Sequence, residues 1–197
     1  MASRIIGVTG KKYAGKDTFA RRLIEAHGFT RLAFADTLKS VMEHLNPVIP
    51  VEADESGIVY GPGAFPIATH LRLSQILETA DWDTAKKLRE VRRLLQDHGV
   101  GIRQYVDPNV WVDVVRRKAE ETDGPVIVTD VRFPNEAEWV QAAGGQLVRV
   151  YRNGQAADDT HVSETALDRW AVDAEIPNHD TIARLHELAD EFLVNSR

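Results

Sequence analysis

Arg4-Ile5-Ile6-Gly7-Val8-Thr9, followed by Gly10-Lys11-Lys12-Tyr13-Ala14-Gly15-Lys16-Asp17-Thr18, is the stretch on which the fold turns. Its first half is a short apolar, β-branched run, the composition of a buried strand. Its second half fits the spacing G-x-x-x-x-G-K. Residues 16–27 continue with Phe19, Leu23 and Ile24 at helical spacing up to Gly28, a helix stop. Strand, glycine-bounded turn and helix in that order make a phosphate cradle. Glycines let the turn adopt positive φ, so that successive N–H groups meet phosphate oxygens. The helix start adds its positive end, and Lys16 brings an ammonium to the β- and γ-phosphates. Gly10, Lys12, Ala14, Gly15, Lys16, Asp17 and Thr18 are therefore candidate nucleotide-binding residues.

Asp17 stands where the usual frame has Ser or Thr for Mg²⁺. A carboxylate is a good ligand for a hard cation, so Asp17 either holds Mg²⁺ or caps the helix start, with Thr18 reaching the α-phosphate. Pro125–Thr129 (PVIVT) is a continuous apolar run, as expected of a central parallel strand, and Asp130 ends it. A strand-end acid beside a phosphate loop is a second metal candidate. Two positions on, Arg132 offers a planar fork suited to a monophosphate. Asp36 and Lys39 follow a second expected strand, Phe29–Phe34. Asp36 is a candidate general base or metal ligand through water, and Lys39 a candidate phosphate contact.

Further out, helices are expected over 35–45, over 71–98 in two pieces broken near Asp81–Asp83, and from Asp107-Pro108-Asn109 to about Thr122, with Gly99–Val106 as a loop. Pro134–Ala143 and Thr181–Leu193 read as helices, Gln146–Tyr151 and Glu175–Ile176 as strands, and Ser163–Trp170 as a short helix. Residues 46–70 hold 7 of the chain's 21 Gly and Pro, a composition that propagates neither a helix nor a central strand, and are read either as a flap beside a site or as plain disorder. Alternating strands and helices imply an α/β fold with a parallel sheet of about five strands and helices on both faces. Ligands then sit at the carboxyl ends of the strands.

The 197 residues suit a single domain. With no cysteine, disulfides, thiolate metal sites and cysteine nucleophiles are excluded. No apolar run reaches a membrane span and no secretory signal is visible, so a cytoplasmic setting with no membrane partner is expected. A net charge of −6 argues against a nucleic-acid partner. The charge is uneven. Residues 1–50 carry 8 Lys and Arg against 4 Asp and Glu, while residues 151–197 carry 4 against 10, so the basic end is the one suited to an anion. The seven histidines show no metal-ligand spacing, and His161, beside Ser163 and Glu164, is the one to probe.

Taken together, GKKYAGKDT, FADTLK, LLQDHGVGIR with the later Trp111, TDVRFPNEAE, HVSE and IPNHD resemble the phage-type deoxynucleoside monophosphate kinases, from about Ile5 to Leu193. The resemblance implies the three-layer nucleoside monophosphate kinase fold. It also implies transfer of the ATP γ-phosphoryl group to a deoxynucleotide 5′-phosphate with Mg²⁺. It assigns Lys16, Asp17 and Thr18 to ATP, Lys39, Arg132 and Arg103 to the acceptor, and Arg72, Gln96 and Trp111 to the deoxynucleoside. Analogy with related small kinases places the adenine near Arg152 and Asn178. Residues 153–169 become a closing lid with a single arginine, Arg169. A homodimer is one option for assembly, and host cytoplasm the setting if a phage encodes the chain. Another P-loop small-molecule kinase, such as a dephospho-coenzyme A kinase, and a nucleotide-dependent switch are the alternatives. A switch needs no acceptor site.

Overall fold

The computed structural model describes residues 2–51, 69–152 and 165–196. The elements run β1 (Ala2–Thr9), α1 (Lys16–His27), β2 (Thr30–Leu32), α2 (Phe34–Leu45), β3 (Val48–Val51), β4 (Thr69–Arg72), α3 (Leu73–Leu77), α4 (Trp82–Ala85), α5 (Arg89–Tyr105), α6 (Val110–Glu121), β5 (Gly124–Val128), α7 (Pro134–Ala142), β6 (Gln146–Tyr151), β7 (Ala174–Pro177) and α8 (Ile182–Asn195). They form two compact units, Met1–Phe34 with Trp111–Arg197, and Ala35–Val110.

The first unit is built on a five-stranded sheet in the order β2-β5-β1-β6-β7, with every pairing parallel. β1 lies between β5 and β6. Ile5, Ile6 and Gly7 stand opposite Val126, Ile127 and Val128, and Ile6–Thr9 opposite Gln146–Arg149. The alternation of β1 sorts its two faces. Ile6 and Val8 bury against Phe19, Ala20 and Leu23 of α1 and Leu185, Ala189 and Phe192 of α8. Gly7 points the other way, where a Cβ would touch Val140 of α7, Val131 and Leu147. Helices therefore cover both faces, and β5 can be apolar throughout. Each fully buried Leu, Ile or Phe here stabilises by roughly 1.5–3 kcal/mol. This order sets the carboxyl ends of β1 and β5 side by side, with the phosphate loop leaving one and Asp130 the other.

The second unit holds the antiparallel pair β3–β4, in register from Val48↔Arg72 to Val51↔Thr69. Its core joins Met42, Ile49, Val51, Leu73, Ile76, Ala85, Leu88 and Val91.

Four expectations change. The expected loop at Gly99–Val106 is helix, because α5 runs through both glycines to Tyr105. Each glycine costs a helix about 1 kcal/mol relative to alanine, yet a Cβ at Gly99 would stand 3.1 Å from Leu38 of α2, so the small residue permits a close approach. The expected flap contains β3. Pro50 sits opposite His70 on the exposed side of a two-stranded ribbon, where a missing N–H is tolerated. Residues 71–98 open with the end of β4, then hold α3, α4 and the first half of α5 rather than two helical pieces. Of the expected helix at Ser163–Trp170, Thr165 is helical and the chain after it is a turn, closed by the Asp168 N–H to Thr165 O and the Trp170 N–H to Leu167 O. Residues 52–68 of the expected flap, and 153–164 with His161, lie outside the described residues. Among the described residues no helix is long and apolar enough to cross a membrane.

Candidate active site

The phosphate loop is held in shape by its own backbone and by the far end of the chain. Gly10 has φ +135°, and a Cβ there would collide with the main-chain carbonyl of Val150 in β6. Gly15, the residue before α1, has φ +103°, and its Cβ would collide with the Asn178 side chain. Both positions thus demand glycine for conformation and for space. The Asn178 amide donates to Ala14 O at 2.9 Å, while its own N–H donates to Tyr151 O at 2.8 Å. It ties the loop to β6 and to the end of β7. The Lys16 ammonium folds back over the loop, donating to Gly10 O and Lys11 O at 2.8 Å each. Tyr13 holds φ +62° without being glycine, and is 78% exposed.

α1 is anchored behind the loop. Arg22 donates through two nitrogens to Asp190 of α8, at 2.9 and 2.7 Å, and His27 Nε2 lies 2.8 Å from the same carboxylate. Hydrogen bonding from Arg22, then from His27, holds the Asp190 carboxyl down to about 2.

At the neighbouring strand end, Asp130 Oδ1 accepts the Phe34 N–H at 2.9 Å, linking β5 to the start of α2. The Val131 N–H donates to Val8 O at 3.1 Å. Arg132 follows, half-buried, and its main-chain N–H donates to Glu136 Oε2 at 2.7 Å. Arg132 then lines a cavity of about 230 Å³ with Gly10 and Lys11 of the phosphate loop. Arg149, Tyr151, Leu167 and Asp168 complete its wall, over a floor of Thr9, Val131 and Val150. Lys11 Nζ meets Asp168 Oδ1 at 2.5 Å. Arg149 pairs with Glu175 at 2.7 Å and donates to Leu167 O and Trp170 O, so it pins the turn that carries Asp168. The cavity is smaller than the roughly 300–1,000 Å³ of a whole small-molecule site. Its lining carries the cations Lys11, Arg132 and Arg149 beside the one acid Asp168.

Comparison with known proteins agrees with this geometry. The sequence model of the family described as deoxynucleotide monophosphate kinase matches residues 64–188. A protein of Acanthamoeba polyphaga mimivirus, provisionally described as a deoxynucleotide monophosphate kinase, is 30% identical over 199 residues, covering 95% of this chain and 91% of its own. The chain belongs to the deoxynucleotide monophosphate kinase family. It is an ATP-dependent phosphotransferase whose substrates are small nucleotides. Among solved structures, TT1252 from Thermus thermophilus matches with a TM-score of 0.51 at 14% identity, over 100% of this chain and 98% of its own. Dephospho-CoA kinase from Campylobacter jejuni matches with a TM-score of 0.49 at 14% identity, over 98% and 96%. The fold is α/β, with the five-stranded parallel sheet anticipated above.

The other candidate residues of this kinase fall into three groups. Asp17 is exposed in the first turn of α1 and Thr18 is half-buried beside it; Lys12 is exposed, its ammonium 4.8 Å from the Tyr13 ring centre. Arg152 is exposed just past β6, and Trp111 is 4% exposed within the core face of α6. In the second unit, Asp36 and Lys39 pair at 3.3 Å on α2, Arg72 donates to Asn46 O at 3.1 Å, and Gln96 and Arg103 are half-buried on α5. The structure thus unites Gly10 and Arg132 around one cavity of the first unit, and pairs Asp36 with Lys39 within the second. Four residues of the site escaped the sequence: Lys11, Arg149, Asp168 and Glu136. Lys11 lies inside the loop motif at a variable position, and Asp168 sits in a polar stretch without periodicity. Glu136 alone carried a signal, the acid three residues after a helix-start position.

Proposed function

We propose that this chain phosphorylates a deoxynucleoside 5′-monophosphate, moving the ATP γ-phosphoryl group to give the diphosphate and ADP. The observation that carries the reading is the shared cavity. Arg132, from the end of β5, and Gly10 with Lys11, from the end of β1, line the same space. A phosphoryl group passed between two anions needs donor and acceptor phosphates side by side in line, with cations against both. In this reading the loop Gly10–Thr18 holds ATP, with Lys16 leaving its two loop carbonyls for the β- and γ-phosphates. Arg132, with Lys11, grips the acceptor phosphate. Lys39, Arg72, Gln96, Arg103 and Trp111 are assigned to the acceptor nucleotide, and Asp36 to its reacting oxygen or a metal-bound water. Arg152 and Asn178 are assigned to the adenine end.

Asp17, in the first turn of α1, and Asp130, past the end of β5, are the hard oxygen donors that would hold Mg²⁺, with phosphate oxygens and water completing its shell. Held there, the ion would supply positive charge against the transferring phosphoryl group. Asp130 Oδ1 already accepts one N–H, which fixes the carboxylate in one orientation.

A coupled ADP-release assay across the four deoxynucleoside monophosphates, their ribonucleotide counterparts and dephospho-coenzyme A tests the reaction. Turnover on at least one deoxynucleotide is expected, and ATP consumption independent of every acceptor would overturn it. Arg132→Lys keeps the charge but loses the fork. It should raise the acceptor KM or lower kcat by about 10-fold while the ATP KM stays within about 2-fold. Equal loss on both substrates would move Arg132 to the ATP side.

A further inference from the structure

Glu136 is 1% exposed, and one oxygen of its carboxylate, Oε2, accepts two consecutive main-chain N–H groups, from Arg132 at 2.7 Å and from Phe133 at 3.0 Å. Burying a carboxylate costs several kcal/mol unless hydrogen bonds compensate. A helix start needs only the bond to Phe133, which a side chain in the first turn commonly makes. The bond to Arg132 reaches one residue farther out, to the residue whose side chain lines the cavity. The residue before it is fixed as well, since the Val131 N–H donates to Val8 O on the central strand. The main chain of Arg132 is thus clamped between β1 and the first turn of α7. A clamped backbone removes the soft dihedrals that would let the guanidinium swing, and positioning is what phosphoryl transfer demands of a side chain.

The charge of Glu136 opposes any anion in the cavity, so its contribution must lie in geometry. We infer that Glu136 is a positioning residue that acts through the main chain of Arg132 to aim its guanidinium at the acceptor phosphate. This inference rests on the reading of Arg132 as an acceptor-phosphate residue. It gives the sequence Asp130–Glu136 a division of labour. Asp130 ties the strand end to α2, Arg132 meets the substrate, and Glu136 sets the angle between them.

The test uses steady-state kinetics of the full chain, varying acceptor at saturating ATP and ATP at saturating acceptor, with melting curves for every variant. Glu136→Gln keeps an acceptor oxygen in place and removes the charge. Glu136→Asp keeps the charge and withdraws the oxygen by one methylene. If geometry is the contribution, Glu136→Gln stays within about 3-fold of the parent in acceptor kcat/KM. Glu136→Asp falls about 10-fold or more, with the ATP KM within about 2-fold. In an Arg132→Lys background, Glu136→Asp should add less than about 3-fold, because a residue acting through Arg132 has little left to position. The inference is overturned if a folded Glu136→Asp enzyme retains normal acceptor kinetics, or loses ATP and acceptor parameters together. Glu136→Gln falling as far as Glu136→Asp, or an undiminished cost in the Arg132→Lys background, overturns it too. If Arg132→Lys alone leaves acceptor kinetics unchanged, the reading of Arg132 fails and takes this inference with it. The Glu136 arms failing beside a crippled Arg132→Lys enzyme reject only the inference.

Discussion

The phosphate loop and the turn Asp130–Glu136 leave adjacent strands and line one cavity, yet they are stiffened by opposite means. The loop relies on main-chain shape: positive φ at Gly10, Tyr13 and Gly15, with no room for a side chain at either glycine. The turn uses no positive φ. It relies on side-chain carboxylates that accept main-chain N–H groups, Asp130 from Phe34 and Glu136 from Arg132 and Phe133. The difference follows from what each must present. A loop that wraps phosphate offers its own N–H groups, so the backbone has to be the binding surface. A turn that presents one arginine can hide its N–H groups on a carboxylate and leave the side chain to do the contacting.

The widest gap between the two should appear when a methyl group is added to the loop. Gly10→Ala meets both an unfavourable φ and the Val150 carbonyl, costing about 3 kcal/mol or more. For a chain of this size that is a Tm lower by roughly 6–12 °C, read by thermal melt, together with loss of measurable ATP turnover. An unchanged Tm would mean the loop relaxes and its shape is not enforced from β6. Next comes Lys16→Ala. It should lower kcat on the order of 10²-fold, about 3 kcal/mol of barrier, with little change in Tm. Near-normal turnover would leave the cradle's amides as the whole of the donor site.

A smaller effect sharpens the comparison from the far side of the loop. Asn178→Ala removes the bond to Ala14 O but leaves the glycine conformations in place. It should cost about 1 kcal/mol of stability and raise the ATP KM by about 5-fold with the acceptor KM unaltered. An acceptor KM that rises equally would show that the two segments are not separately held.

The phosphate-loop half was the legible half. A motif whose spacing is set by main-chain geometry leaves glycines in fixed places, so the turn and α1 were readable to the residue and β1 to within two, and β5 followed from an unbroken apolar run. The turn Asp130–Glu136 was legible chiefly as Arg132. Glu136 and Asp168 act through hydrogen bonds and an ion pair that depend on partners in space; no local pattern distinguishes Asp168 from a surface acid, and the helix-start spacing of Glu136 announces its bond to Phe133 but not the one to Arg132. The misread helix α5 has the same origin. Gly99 signals a break in isolation, and only the approach of Leu38 explains a glycine inside a helix. Trp111, which the resemblance assigns to the deoxynucleoside, is buried in the helix face that its apolar spacing marks.

The mildest perturbation tests whether the phosphate-loop half is also anchored from behind. Asp190 of α8 receives Arg22 and His27 of α1, and its pKa lies near 2 in the folded state against about 3.9 when unfolded. A depressed carboxyl stabilises the fold at pH values above its unfolded pKa. That contribution is lost as pH falls through the folded value, here between about pH 4 and pH 2. The carboxylate is about one-third exposed, so solvent screening reduces the effect to about 1 kcal/mol. Asp190→Asn should therefore melt roughly 2–4 °C below the parent at neutral pH. The two curves should converge as the pH is lowered from 4 toward 2, and acceptor kinetics should stay unchanged throughout. A gap in Tm that persists undiminished at pH 2 would assign the loss to packing around α8 rather than to the ion pair. An acceptor KM that moves with it would erase the separation between the two halves.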